Sequence, residues 1–291
     1  MQVAKAAAAQ PKADTQWSLA WKKFRRNRLA VAGAVVLIVI VLLALLAPWI
    51  SPYPPNAIHP SQQVLPPSWQ HLLGTDTDGR DVLSRLLYGA RISLLIGFSS
   101  MLSAVLLGTV IGAIAGFVGG AIDAVLMRLT DLMLSFPLYL ILFVLSVIIS
   151  GGITKIVVII AILSWMYTAR IVRAEVLQLR QELYVEAAQA LGASRRRILW
   201  RHVLPNALAP LIANATLLVG NNIITESVLS FFGFGVQPPT ASWGSMLQNA
   251  QSFVISAPWL AAFPGLAILI TVLAVNFIGD GLRDALDPRG R

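Results

Sequence analysis

Residues 29–50 read LAVAGAVVLIVIVLLALLAPWI, an uncharged run of 22 residues. At about 1.5 Å per residue the run is long enough to cross a hydrocarbon core of about 30 Å. It is also too long for the apolar region of a signal peptide, which is about 7–15 residues. It is therefore read as a retained membrane helix, and the rest of the chain follows from it. Five more apolar stretches lie near residues 92–118, 125–149, 153–170, 208–231 and 258–279. The expected fold is all-α, a polytopic membrane protein with six transmembrane helices. Composition agrees: 12% of residues are charged, against about 25% in a soluble domain.

The loops between these stretches carry the orientation. With the N-terminus inside, the tail, the turn around Arg128, residues 170–205 and the C-terminus hold 7, 1, 7 and 3 Lys and Arg, 18 of the 22 in the chain. The outer side keeps only Arg80, Arg85, Arg91 and Lys155. The positive-inside rule then predicts cytoplasmic N- and C-termini. The same distribution explains the net charge of +9 without a nucleic-acid partner. Residues 1–15 read as a disordered tail, and 17–28 as a basic amphipathic segment along the membrane surface. The Pro-rich stretch 51–67 reads as extended loop.

Several chemistries are excluded. There is no cysteine, hence no disulfide or thiolate metal site. His59, His71 and His202 are far apart and form no metal-ligand spacing. The chain has no G-x-x-x-x-G-K-[ST] phosphate loop and no G-x-S-x-G elbow. No catalytic residue, cofactor or metal is expected in this chain.

The longest inner segment between spans, residues 171–205, carries a pattern of its own. Residues 171–191 are good helix formers. Gly192 suits the left-handed conformation that ends a helix. Ser194 is a candidate N-cap for a second short helix over 195–202. Pro205 is expected to stop that helix and start the next span. The prediction is helix, sharp turn, helix, held below the membrane. The bland alternative is a solvated basic loop whose Arg195, Arg196 and Arg197 serve only topology.

Glu186, Ala187, Ala188, Gly192, Leu204 and Pro205 together resemble the EAA loop of permease subunits of ATP-binding cassette (ABC) importers. The resemblance implies a coupling helix that docks into a cleft of an ATP-binding subunit, with small residues admitting the partner backbone and Gly192 setting the angle. His202 stands where the family often has Ile. Three further segments narrow the match. They are His71-Leu72-Leu73-Gly74-Thr75-Asp76-Thr77-Asp78-Gly79-Arg80-Asp81 with Leu83-Ser84-Arg85 and Gly89-Ala90-Arg91, then Gly233-Phe234-Gly235-Val236-Gln237-Pro238-Pro239 with Ser242-Trp243-Gly244, and Gly279-Asp280-Gly281-Leu282-Arg283-Asp284 with Leu286-Asp287-Pro288-Arg289. Together they look like the second, C-type permease of dipeptide, oligopeptide and nickel importers.

That resemblance implies a type I importer permease fold, with a cytoplasmic tail (1–28) ahead of one transmembrane permease domain (29–291). The implied partners are a second homologous permease, two ATP-binding cassette subunits, an extracytoplasmic solute-binding protein and membrane lipid. ATP and Mg would sit in the partner subunits. The location would be a prokaryotic cytoplasmic (inner) membrane. The implied cargo is a short peptide, with nickel or another small solute as the alternative. A secondary transporter working alone would need ion-coupling carboxylates deep in the spans, and Glu226 is the main candidate. An intramembrane enzyme would need a nucleophile–base or metal constellation.

Some features remain open at this level. Gly108, Gly112, Gly116 and Gly120 repeat every four residues, a stripe that permits close helix packing in lipid. Asn214, Asn221, Asn222, Thr225 and Glu226 lie in the fifth span, either as a polar lining of a solute path or as interhelical hydrogen-bonding groups, with Glu226 near the outer interface. Asp81 and Arg85 sit i, i+4 at the entry to the second span. They read as structural, or as a contact for the solute-binding protein. Pro137 is expected to kink the third span above Asp131.

Overall fold

The computed structural model describes residues 16–286. The expected disordered tail, residues 1–15, and the terminal Asp287-Pro288-Arg289 lie outside the described residues. The described residues are helical, with no strand among them. A short amphipathic helix, α1 (Gln16–Arg26), leads into α2 (Arg28–Ile50). The Asn27 side chain starts α2 by accepting the Ala30 amide at 3.2 Å, the N-cap bond that an orphan first-turn donor needs. The remaining long helices are α3 (Val82–Val118), α4 (Gly120–Ser135), α5 (Leu138–Ile148) and α6 (Ile153–Leu179). After α6 come α7 (Leu183–Ala190), α8 (Arg195–Ile198), α9 (Leu208–Phe231), α10 (Trp243–Ala250) and α11 (Trp259–Leu286).

Five helices are long and apolar enough to cross a membrane: α2, α3, α6, the continuous helix Arg195–Phe231, and α11. The third expected span, 125–149, is not one helix. It breaks between α4 and α5 with a bend of 91°, so Pro137 produces a corner rather than a kink. Phe136 and Pro137 are both extended, with ψ of 144° and 120°. Proline disfavours the helical region for the residue before it and has no N–H to carry the ladder on. With 11 residues, α5 spans only about 16 Å. Phe143 on α5 packs against Phe232 and Phe234 at centroid distances of 5.4 and 5.3 Å.

The centre of the bundle is the seam between α3 and α6. A Cβ on Gly108 would lie 2.7 Å from the Trp165 carbonyl oxygen, one on Gly112 2.3 Å from that of Ala169, and one on Gly116 2.8 Å from that of Arg173. The two helices therefore touch backbone to side-chainless backbone for more than two turns. Gly120 does not continue the stripe. It starts α4 with φ +59° and has nothing near it, because the chain turns away at Gly119. On its other side α3 meets α9, where Gly97 accommodates Ile223. Next, α11 packs on α9 and α2, and α1 folds back so that Ala20 and Phe24 sit against Ala30 and Ala285.

Replacing Gly112 with Leu forces a side chain into the Ala169 carbonyl. Overpacking a core costs about 1–3 kcal/mol. The expected outcome is a lower melting temperature in detergent and less folded protein. Gly265→Leu, at a helical glycine with nothing within 4 Å of its would-be Cβ, should leave melting unchanged. Equal melting of the two variants would show that α3 and α6 are not held this closely.

Candidate functional site

The expected helix–glycine–helix unit is present, with different boundaries. Residues 171–191 are not one helix. The first part continues the fourth span as α6 as far as Leu179, nine residues beyond the expected end. The chain then makes a tight turn through Arg180–Glu182, in which the amides of Gln181 and Glu182 reach only three residues back. The turn lets α7 fold against α6 and bury Val185 beside Val172 and Val176. Packing thus interrupts a stretch whose local propensity is helical throughout.

Gly192 ends α7 with φ +78°. The Ala193 amide bonds to the Ala188 carbonyl at 3.0 Å, and the Gly192 amide to that of Gln189 at 2.9 Å. This is the Schellman pattern of a helix closed by a left-handed residue. Ala188 and Ala193 join the same apolar cluster, which supplies the contact that usually accompanies it. Ser194 caps α8, its hydroxyl facing the Arg197 amide at 3.4 Å.

Pro205 does not stop the second helix. The chain stays helical from Arg195 to Phe231 and changes its hydrogen-bond spacing on the way. After α8 comes a π turn, Leu199–Val203, in which the Leu204 amide reaches back five residues to Leu199. A 3-10 turn, Leu204–Ala207, then holds Pro205 in its first positions, and α9 follows. Pro205 has no amide to give, and the wide turn before it absorbs the ring. Such mid-helix changes of spacing often mark hinges. The turn is tied to the loop through His202, whose carbonyl oxygen accepts the Asn206 side-chain Nδ2–H at 2.6 Å and the Tyr184 hydroxyl at 3.4 Å. Among the described residues His202 bonds the loop through its backbone and not its imidazole.

The six loop residues divide by burial. Leu204 is buried in the cluster with Val185, Ile198 and Val203 and anchors the loop. Ala188 is half-buried. Glu186, Ala187, Gly192 and Pro205 are exposed, and a Cβ at Gly192 would meet nothing within 4 Å. Two residues outside the expected set complete this surface. Leu183 is 81% and Leu191 88% exposed, apolar knobs at the two ends of α7. Their signal in the sequence was leucine in a basic loop, which helical propensity alone explains equally well.

The polar residues of the fifth span also divide. Asn221 is exposed, and Asn214 and Thr225 are half-buried. Asn214 donates to the Thr168 hydroxyl at 3.1 Å, and Thr225 to the Asn221 carbonyl at 2.8 Å. Asn222 is buried, its carbonyl oxygen accepting from Ser164 at 3.1 Å, while its amide nitrogen has no partner among the described residues. Glu226 is fully buried within the bundle, and hydroxyls are what hold it there.

Comparison with known proteins settles the family. Residues 108–291 match the family described as binding-protein-dependent transport system inner membrane component, and residues 15–67 match the N-terminal transmembrane domain of oligopeptide transport permease C. The chain belongs to this family of ABC importer permeases. It is 40% identical to the dipeptide transport system permease protein of Alkalihalophilus pseudofirmus, over 95% of this chain and 91% of the relative. It is 43% identical to the di/tripeptide transport system permease protein of Pseudomonas aeruginosa, over 92% and 91%. It is 41% identical to a glutathione transport system permease protein of Escherichia coli, over 94% and 91%. The protein is a multi-pass permease of the inner membrane, of the C type.

At the end of the permease opposite residues 180–205, two of the three signature segments have clear structural work. Ser93 on α3 donates to Glu226 at 3.0 Å and accepts the Trp243 amide at 3.1 Å. Ser230 donates to the other carboxyl oxygen at 2.7 Å and accepts the Val236 amide at 3.0 Å. One carboxyl and two serines thus pin residues 232–243 onto α3 and α9. Gly235 and Gly244 fit because a Cβ would lie 2.1 Å from the Ser230 hydroxyl and 2.6 Å from the Ser227 Cα. In the other segment, Asp81 caps α3 by accepting the Ser84 amide at 2.8 Å and faces His71 at 2.9 Å. Asp81 does not pair with Arg85. Arg85 lies 3.4 Å from Asp76, which holds Arg80 at 2.7 Å.

Glu226→Ala would leave both serine hydroxyls without their acceptor. Each unsatisfied buried group costs about 1–3 kcal/mol. The expected result is a lower melting temperature and new protease cleavage within residues 232–242. Unchanged cleavage and melting would show that the carboxyl does not hold this segment.

Proposed function

We propose that this permease carries short peptides and that residues 183–205 couple it to ATP-binding subunits. The single observation behind the coupling role is the rigid helix–Gly192–helix unit, anchored through Val185, Ile198 and Leu204 while Leu183, Glu186, Ala187 and Leu191 stay uncovered. An exposed apolar patch of this kind marks an interaction site. Glu186 forms no ion pair among the described residues and is free to meet a partner. ATP and Mg would be held by two partner ATPases, and this chain would contribute no catalytic residue and bind no cofactor.

The loop joins two spans, α6 directly and α9 through the irregular turn at Pro205. Displacing it would therefore rotate α6 together with α3 and bend the chain at residues 199–207. Closure of the ATPases would in this way bias two states of the bundle, as coupling requires. The concentration of basic residues at the loop end supports cytoplasmic termini and loop. The face of α9 bearing Asn214, Asn221 and Thr225 has open positions and would line the path with a second, homologous permease. Asn222 and Glu226 would stand behind that lining. An extracytoplasmic solute-binding protein would deliver the cargo at the end built on Asp76, Asp81 and Glu226. The peptide reading rests on relatives whose names specify dipeptides, di/tripeptides and glutathione.

The coupling role predicts that Gly192→Trp inserts and folds normally yet abolishes solute-stimulated ATPase activity and uptake in the reconstituted importer. Gly192→Asn, which also tolerates the left-handed conformation, should retain most activity. Normal coupled uptake by the Trp variant would refute this role. For the cargo, mass spectrometry of ligands on the co-purified binding protein should find short peptides. A bound metal ion with no peptide would replace the peptide reading.

A further inference from the structure

A groove of about 190 Å³ opens between the end of α3 and the first turns of the helix that leads into α9. It is lined by Phe117, Val118, Arg195, Arg196, Leu199 and Trp200. Arg195 and Leu199 are four residues apart, as are Arg196 and Trp200, so each arginine has an apolar group one turn along the helix. Phe117 and Val118 close the α3 side, at the last turn of a membrane-spanning helix. The groove is thus mostly apolar, with two arginines at its margin.

We propose that this groove binds an anionic phospholipid of the same leaflet, its phosphate between Arg195 and Arg196 and its glycerol and upper acyl chain against Phe117, Val118, Leu199 and Trp200. Three observations carry the assignment. Both arginines are exposed and have no ion pair or side-chain hydrogen bond among the described residues, whereas Arg170, Arg173 and Arg180 nearby are all engaged. The helix Arg195–Phe231 has 37 residues, about 55 Å, longer than a core of about 30 Å, and the arginines of its first turns would place that end in the headgroup layer. Trp200, 59% exposed, would sit at that level, where tryptophan is enriched in membrane proteins. A free phosphate would leave the apolar half of the groove unfilled. Basic pockets between spanning helices on the cytoplasmic side are known to hold lipid headgroups.

The site lies within the proposed coupling segment 183–205 but uses none of the uncovered docking residues Leu183, Glu186, Ala187 and Leu191, and it does not depend on the cargo. Its test uses the assembled importer in nanodiscs containing phosphatidylglycerol and phosphatidylcholine. Native mass spectrometry after release should show one more phosphatidylglycerol retained by the natural protein than by an Arg195→Gln/Arg196→Gln double variant. Removing two charges at the surface should weaken that lipid about 30-fold, while phosphatidylcholine retention stays equal. Arg197→Gln, adjacent but outside the groove, should behave like the natural protein. Phosphatidylglycerol brominated on its upper acyl chain should quench Trp200, read as the difference from a Trp200→Phe variant.

Equal phosphatidylglycerol retention by the natural protein and the double variant would overturn the proposal. So would displacement of the lipid by excess inorganic phosphate, which would mark a phosphate site. Loss of the ATPase subunits from the double variant with lipid retention unchanged would assign the groove to that partner instead. Melting temperatures of all variants separate these outcomes from misfolding.

Discussion

The close contact between α3 and α6 is the constraint on which the rest of this permease depends. Lipid tails are as apolar as leucine, so burial alone does not drive two membrane helices together, and packing and buried polar contacts must do so. Gly108, Gly112 and Gly116 remove every side chain on one face of α3, and the α6 backbone fills the space. The contact makes α3 and α6 one mechanical piece. That piece reaches from the capped turn at Asp81 to the loop after Leu179. Arg173, bonded to Asp123 at 2.6 Å, ties α4 to the same piece near its loop end.

The two ends of the bundle are stiffened by different chemistry. At the far end, buried charges and hydroxyls form closed sets: Asp76 with Arg80 and Arg85, Asp81 with His71 and Ser84, Glu226 with Ser93 and Ser230. Each buried acceptor has its donors, as the cost of an unpaired buried group requires. At the loop end, apolar packing of Val185, Ile198, Val203 and Leu204 holds the backbone while the charged side chains stay outside. A surface built in this way keeps its shape and leaves its contacts available. The irregular turn at Pro205 separates that surface from α9, so the loop is firmly attached to α6 and more loosely to α9.

Much of this was legible in the chain itself. The 22-residue run at 29–50, the basic loops and the Gly192–Ser194 pair each report a local rule: hydrocarbon thickness, positive-inside bias, and the caps that end and begin helices. Those rules act over a few residues and do not need the fold. Where the reading failed, distant contacts decided. A helix was expected over 171–191 because its residues favour one, yet packing of Val185 on α6 divides it. Glu226 reads as a costly carboxylate in a span, and its donor Ser93 lies 133 residues away, where no local rule finds it. Leu183 and Leu191 were unremarked because their exposure cannot be read from their neighbours.

By itself the sequence determined the solvent, the number and order of apolar stretches, the position of the turn at Gly192 and the family. Those properties follow from composition, period and spacing along one chain. Only the tertiary structure decided that the third span bends by 91°, that the second helix of the loop continues through Pro205, and which loop residues face inward. It also brought Phe117 and Val118 beside Arg195 and Arg196. These outcomes depend on which surfaces meet across many residues of chain, and the meeting is set by steric fit: the absent side chains of α3, the missing amide of Pro205 and the buried carboxyl of Glu226.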